Sequence, residues 1–446
     1  MKFKSIIDIL PLVLLLFGLA SCTDFDNSNA GYTEILKWPE GKRGAVSLTY
    51  DGGTINQFRV AMPIMDRLDF PGSFFIVTGE IPGSEHKARF IGRNIDEITR
   101  EVLEIPTDTT NIFERASAMR FLFLEGIIEY HTRAGDLYEV GKFSEAYSQI
   151  DKAFALANVG GDAFQPSPVD ELSSVQLTSW VEMKEYSKNG HEFASHSISH
   201  PQFAILDDAN LQYELEKSRE EILKHLGQEH TFSMECPYGT ENERVMKETF
   251  KVYPGARNRM PDPYVEELNR WNKMNPGKSI KEYVQWQRGP KSETSLEIMN
   301  SWIDTVSAHD NVWLVLVFHG VEGVGWESIP GEVLENYFNY IKTNEAKLWV
   351  ATFRDVTKYI RERMNTEITS YMKGKEIHIE LSHTLDPGLY DLALSMKTYI
   401  PETWKSTQVI QNDLTLAHEI GYDQSGRFII YQGQPNSGEI IISEGS

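Results

Sequence analysis

Gly190-His191-Glu192-Phe193-Ala194-Ser195-His196-Ser197-Ile198-Ser199-His200-Pro201 begins as a short β-rich run, turns polar and is closed by proline. Two histidines four residues apart at a strand end can point at one ion, and neutral imidazole is the usual ligand of a divalent transition metal. The same spacing arises by chance on polar loops, and only its surroundings separate the two cases. Three further apolar runs end in chemically capable residues: Thr49-Tyr50-Asp51-Gly52-Gly53, Glu235-Cys236-Pro237-Tyr238-Gly239 and Val317-Phe318-His319-Gly320. Catalytic groups of βα barrels sit at the C-terminal ends of strands, so polar strand ends recurring along a chain predict one site on a barrel rim.

Outward from these four points the chain alternates apolar runs with helical periodicity, the pattern of βα units around a parallel sheet. The runs are Val46 to Tyr50, Gly72 to Val77, Glu192 to Ser195, Thr231 to Met234, Lys251 to Tyr253, Val312 to Phe318 and Lys347 to Ala351. Helices are expected over Phe58 to Leu68, Gln176 to Lys188, Asn210 to Leu226, Ser295 to Ala308, Glu332 to Thr343 and Phe353 to Met364. The predicted fold is α/β, a distorted seven-stranded (β/α) barrel. Some hundred residues separate the second and third runs, too many for a bare loop. Helices over Ile95 to Leu103, Ile112 to Ala134 and Gly135 to Asn158 make this an inserted helical subdomain, about 84–175. Leu137 to Tyr147 resembles half a tetratricopeptide unit, but one copy cannot stack on itself, so a docked helical hairpin is expected.

From about Asn365 the pattern changes to short alternating strands with turn signals such as Asp386-Pro387-Gly388, which predicts a small C-terminal β-sandwich over 365–446. Tyr399, Trp404 and Tyr431 form either its core or a platform for sugars.

The chain has 446 residues, 41% of them hydrophobic and 24% charged, with 43 basic against 65 acidic side chains and a net charge of −22. That composition suits globular domains, and so negative a surface argues against nucleic acid as a partner. At the N-terminus, Met1-Lys2-Phe3-Lys4 precedes an apolar stretch from Ile6 to Leu19, and Leu19-Ala20-Ser21 leads into Cys22. This reads as a secretory signal, residues 1–21. It resembles a bacterial lipoprotein signal, which implies lipidation of Cys22 and a place at the cell envelope, facing the periplasm or the outside, with the lipid anchor as the only membrane contact. Lipidation leaves Cys236 without a disulfide partner. The barrel is then expected over 22–364.

In this order the motifs resemble those of the polysaccharide deacetylases of carbohydrate esterase family 4, over roughly Ala45 to Tyr359 apart from the helical insertion and Arg259 to Pro290. The family's Thr-Phe-Asp-Asp-Gly is similar to Thr49-Tyr50-Asp51-Gly52-Gly53, which implies Asp51 as catalytic base. His-Ser/Thr-x-x-His is matched by His196, Ser197 and His200, the implied metal ligands. Arg-x-Pro-Tyr falls on Glu235, Cys236, Pro237 and Tyr238, with the Tyr238 backbone N–H as the implied oxyanion donor. The last motif ends on His319, the implied general acid. Two positions depart from the family: Gly52 stands where the metal-binding aspartate is, and Glu235 where the base-orienting arginine is. Glu235 and Arg257 are the candidates to compensate, the first as a ligand and the second as the arginine.

The resemblance implies a hydrolase that uses a divalent metal, commonly zinc, to remove acetyl groups from a glycan by cleaving a non-peptide C–N bond or an acetyl ester. The alternative is a degenerate barrel that survives as a glycan-binding lipoprotein. Specificity is expected in loops such as Arg259 to Pro290, where Trp271 and Trp286 either stack on sugars or pack.

Overall fold

The structure, a computed structural model, describes residues 29–159 and 177–445. Cys22 and the signal stretch lie outside the described residues, as do residues 160–176 of the insertion.

After a short strand β1 (Thr33–Ile35), the chain lays down β2 (Gly44–Gly52), β3 (Gly72–Ile76), β4 (Glu192–Ser195), β5 (Ser233–Met234), β6 (Gly255–Ala256), β7 (Val265–Leu268), β8 (Tyr283–Arg288), β9 (Val312–Phe318) and β10 (Leu348–Val350). Strands β2 to β10 form one sheet in the order β6-β5-β4-β3-β2-β9-β8-β7, with β10 paired to β2, and every pairing is parallel. The (β/α) barrel architecture stands, with nine strands rather than seven. The two additional ones, β7 and β8, lie inside Arg259 to Pro290, where Val265-Glu266-Glu267-Leu268 is too short and polar to read as a strand by itself.

Both faces of the sheet are covered, which is why its central strands are apolar without alternation. On β9, Leu314, Leu316 and Phe318 pack into one cluster with Leu48, Tyr50 and Phe74, while Trp313, Val315 and Val317 pack into another with Phe75, Ala194 and Phe353. The connecting helices begin on polar caps: Asp207 accepts from Asn210 N, Ser295 from Ile298 N and Thr352 from Asp355 N. One expectation fails here. Lys251 and Val252 end a helix (Glu243–Val252) capped by Asn242, and the strand lies just beyond, at Gly255–Ala256. Val245, Met246 and Thr249 bury the helical face that overrides the apolar look of the run.

The insertion holds α1 (Ile95–Glu104), α2 (Ile112–Met119), α3 (Ile127–Glu139) and α4 (Phe143–Val159) around their own apolar cluster, to which Ile205 of the barrel contributes. The expected break at Gly135 is absent, since Gly135 sits inside α3, and the breaks fall on either side of that helix, at Gly126 with φ +74° and at Gly141 with φ +77°. The tetratricopeptide-like stretch is the turn of the α3–α4 hairpin.

The C-terminal region is two antiparallel sheets, Glu367–Lys373, Glu376–Ser382, Ile440–Glu444, Thr407–Gln411 and Leu414–Thr415 in one, and Leu394–Tyr399, Gly426–Gly433 and His418–Asp423 in the other. Strand β1 pairs with Leu394–Tyr399, so the N-terminal end of the described chain belongs to this sandwich. Tyr399, Trp404 and Tyr431 are buried in it.

Candidate active site

Four strand ends meet at one cavity of about 1000 Å³, whose wall includes Asp51, His196, His200, Glu235, Tyr238 and His319. Asp51 is the penultimate residue of β2, and Gly52, the last, takes φ +90°, a conformation glycine adopts without strain. His319 follows β9, the neighbour of β2. Gln57, fully buried, donates from Nε2 to both the Asp51 carbonyl (2.7 Å) and the His319 carbonyl (2.8 Å), and so ties the two strand ends together. Nothing in the sequence singles Gln57 out.

His196 follows β4. Its Nδ1 lies 2.9 Å from the Glu235 carbonyl oxygen. A carbonyl can only accept, so Nδ1 carries the hydrogen and Nε2 presents its lone pair. His200 Nε2 lies 3.1 Å from that Nε2. The loop between them is held in left-handed conformations, with φ +70° at Ser197 and +55° at His200, and Ser197 Oγ accepts from the His200 N–H at 2.9 Å. Tyr238, also left-handed at φ +61°, sets its ring 4.7 Å from that of His200.

Below the cavity lies Arg257, fully buried at the end of β6. Its Nη2 donates to Asp51 Oδ2 at 2.6 Å and its Nη1 to Thr49 Oγ1 at 2.7 Å. The same guanidinium meets Glu235 twice, Nε to Oε2 and Nη2 to Oε1, each at 3.0 Å. Arg257 thus occupies the place beside Asp51 that the sequence offers it, from a different strand than the family's motif. Glu235 departs from expectation: both of its oxygens are engaged by Arg257, where they balance a buried cation, and it is the Glu235 backbone carbonyl that serves the histidine pair.

The electrostatics follow from burial and this one cation. Burial pushes the Asp51 carboxyl up, but Arg257, with His196 and His319, overcomes it and holds Asp51 well below the usual carboxylate range. Burial keeps the Glu235 carboxyl raised against the pull of Arg257. His196 and His200 are both held down, chiefly by burial, and are neutral at pH 7, the form that binds a metal. His319 is lowered by burial to about 4, although Asp51 Oδ2 is 3.5 Å from its Nε2.

The residues fit a metal held through two converging imidazole nitrogens, with the outer nitrogen of His196 fixed by a carbonyl as metal-binding histidines require. Asp51 Oδ1, buried, has no hydrogen-bond partner among the described residues. Among those residues no group of three or more His, Cys, Asp or Glu side chains is arranged to hold a metal.

Residues 144–252 match the family model for polysaccharide deacetylase, a stretch that contains His196, His200 and Tyr238. The chain carries a polysaccharide deacetylase domain. Asp51 and His319 lie outside the matched stretch and are brought beside it by the sheet. Over 268 residues the chain is 20% identical to a gellan lyase of Bacillus sp., which covers 57% of this chain and 11% of the lyase, so the chain spans about a tenth of that relative's length. Among solved structures it is similar to a Streptococcus pyogenes deacetylase, PplD, in complex with acetate, at 15% identity and a TM-score of 0.24, covering 46% of this chain and 51% of that one. It is similar to a family 4 carbohydrate esterase from Bacillus anthracis, at 15% identity and a TM-score of 0.32, covering 75% and 91%. It is also similar to Bacillus subtilis PdaA, a family 4 carbohydrate esterase, at 13% identity and a TM-score of 0.32, covering 75% and 85%. These likenesses are distant, and the fold of the deacetylase domain rests on its own strand order.

Trp326, which the sequence does not flag, stands edge-on to His319 with ring centres 4.7 Å apart, and its side chain is 60% exposed. Trp271 lines the cavity and is 73% exposed, while Trp286 is buried beneath the Arg288 guanidinium.

Proposed function

We propose that the deacetylase domain is a metal-dependent hydrolase that removes acetyl groups from a polysaccharide or oligosaccharide at the cell envelope, from the nitrogen of an N-acetylhexosamine or from an acetyl ester. The observation that carries this reading is the Arg257–Asp51–His319 arrangement, a buried cation holding a carboxylate ionised within 3.5 Å of a histidine. Asp51 and His319 lie in the wall of the cavity that the histidine pair shares, with Arg257 buried behind them.

A divalent metal held by His196 and His200, zinc by the preference of that ion for imidazole, would supply a Lewis acid that lowers the pKa of water and polarises the acyl carbonyl. Asp51, ionised at any ordinary pH, takes the proton that water loses on attacking the carbonyl carbon. The Tyr238 backbone N–H is read as the donor to the oxyanion, supported by the left-handed turn that sets Tyr238 in the cavity wall. His319 is neutral in the free protein and more basic than Asp51, so the proton passes from Asp51 to His319 Nε2. Collapse of the tetrahedral centre breaks the C–N or C–O bond, and the imidazolium protonates the leaving amine or alcohol, which leaves poorly as an anion. The products are acetate and the deacetylated sugar.

A second reading has one observation behind it. Gly52 supplies no ligand, and the described residues hold no three-donor metal group. In that reading the cavity binds an acetylated glycan without turning it over. Acetate release from N-acetylchitooligosaccharides and acetylated xylan, with zinc supplied, separates the two: turnover by the wild type supports the hydrolase, and binding without acetate supports the second reading. The lipid anchor on Cys22 is part of the same proposal, supported by the sequence of residues 1–22. Its test is palmitate labelling of the full chain in a bacterial host, lost in Cys22→Ser.

A further inference from the structure

The residues on either side of His200 are held by the inserted helices. Arg120, just beyond α2 and only 5% exposed, donates from Nη1 to Ser199 Oγ at 3.0 Å and from Nη2 to the Ser199 carbonyl at 2.7 Å. From the opposite side Glu214, buried on the helix Asp208–His225, accepts from Ile198 N (2.8 Å), Ser199 N (3.0 Å) and Ser199 Oγ (2.5 Å). One peptide unit before His200 is thus gripped between a buried guanidinium and a buried carboxylate.

Two residues further on, Gln202 N donates to His131 Nε2 and Gln202 Nε2 to Asp136 Oδ1, each at 3.2 Å, and both acceptors lie on α3. Burial holds His131 well below its usual range, so its ring is neutral and able to accept. Gly135 on the same helix lies so close that a Cβ there would meet Gln202 Cγ at 1.8 Å. Between these two anchors, His200 keeps its left-handed φ of +55°, a conformation that persists in a non-glycine residue when its surroundings over-determine it.

We propose that the helical insertion sets the position of the His200 ring, with Arg120 and His131 as positioning residues. A polysaccharide deacetylase domain carrying this insertion then has a histidine loop built from two parts of the chain, and the insertion is part of the site. The consequence for metal binding rests on the function proposed above; the consequence for the ring position does not.

The test compares Arg120→Met and Gly135→Ala with Arg100→Met, a control on the exposed face of α1, in the whole protein. Two quantities are read: cobalt affinity by competition with a chelator, and the imidazole 1H–13C resonance of His200 in the metal-free protein, assigned by its loss in His200→Ala. Both variants are expected to melt cooperatively, to shift the His200 resonance and to bind cobalt about 10- to 100-fold more weakly, as removal of a supporting partner does at other metal sites. Arg120→Lys, which keeps the charge, is expected to recover part of the loss, and the control to match wild type. An unmoved His200 resonance in folded Arg120→Met and Gly135→Ala overturns the proposal. So does failure of both to fold, which makes the contacts purely structural; where only one folds, it decides. If the wild type binds no cobalt, the metal reading fails, and the resonance alone decides the positioning.

Discussion

Arg257 Nη2 lies 2.6 Å from Asp51 Oδ2, and the same guanidinium holds both oxygens of Glu235 at 3.0 Å. One cation therefore stands between two buried carboxylates, and the charge of Glu235 is intelligible as the partner of an arginine that reaches the base from β6. Where the family's motif places the arginine on the strand that ends at Glu235, this chain places its counter-charge there.

Removing that cation is expected to be expensive. Arg257→Met leaves Asp51 and Glu235 buried side by side without compensation, and breaking a buried ion pair costs about 3–5 kcal/mol. Urea unfolding should show a loss of that order, with acetate release abolished. Arg257→Met/Glu235→Met, which removes one of the stranded charges, should recover part of the stability; a double variant no more stable than the single one would show that charge is not the cause.

Glu235→Gln is expected to keep the metal content of the wild type, because the carboxylate it alters is engaged by Arg257 and the histidine pair uses the Glu235 carbonyl, which the substitution leaves in place. Elemental analysis of the two proteins purified side by side checks this. Loss of metal with the carboxylate would make Glu235 a ligand after all.

Much of this site is legible in the sequence because each of its parts is a short motif at a strand end: Asp51, His196, His200, Tyr238 and His319 all reach one cavity. The architecture is legible for the same reason as β9, Val312–Phe318, whose unbroken apolar run records burial on both faces. What stays hidden depends on contacts distant in sequence. Gln57 is an ordinary polar residue until β2 and β9 lie side by side. Arg120 and Gly135 mean nothing before the insertion folds back on Ser199 and Gln202. Strand β7 has two glutamates in four residues, and the strand Gly255–Ala256 is too short to have a pattern.

Buried neutral histidines make stability fall on the acid side. His230 and His319 are lowered to about 4, both chiefly by burial, against an ordinary value of about 6.5. Between those values the unfolded chain binds protons that the folded one refuses, so their contribution is complete above about pH 6.5 and is lost as pH falls toward 4. Midpoints of urea unfolding should drop steadily from pH 7 to pH 4.5, and the His230 imidazole resonance of the native protein should not titrate until near pH 4. A His230 that titrates near 6.5 would contradict the buried, neutral ring.

Trp271, exposed at the cavity, is expected to act on substrate and not on folding. Trp271→Ala should leave the melting temperature within a degree or so of wild type. An aromatic contact of about 1 kcal/mol would raise KM for an acetylated oligosaccharide roughly fivefold with kcat little changed. Equal KM values in the two proteins would place Trp271 outside the substrate's reach.

Acetyl hydrolysis is expected to depend on a metal held by His196 and His200. The direct measurement is metal content and acetate release of the protein beside His196→Ala/His200→Ala, after zinc or cobalt is supplied, on N-acetylchitooligosaccharides and acetylated xylan. Near-stoichiometric metal and acetate release are expected from the wild type, and neither from the double variant. A wild type that takes up no metal and releases no acetate would contradict this expectation, and would leave glycan binding as the function of the cavity.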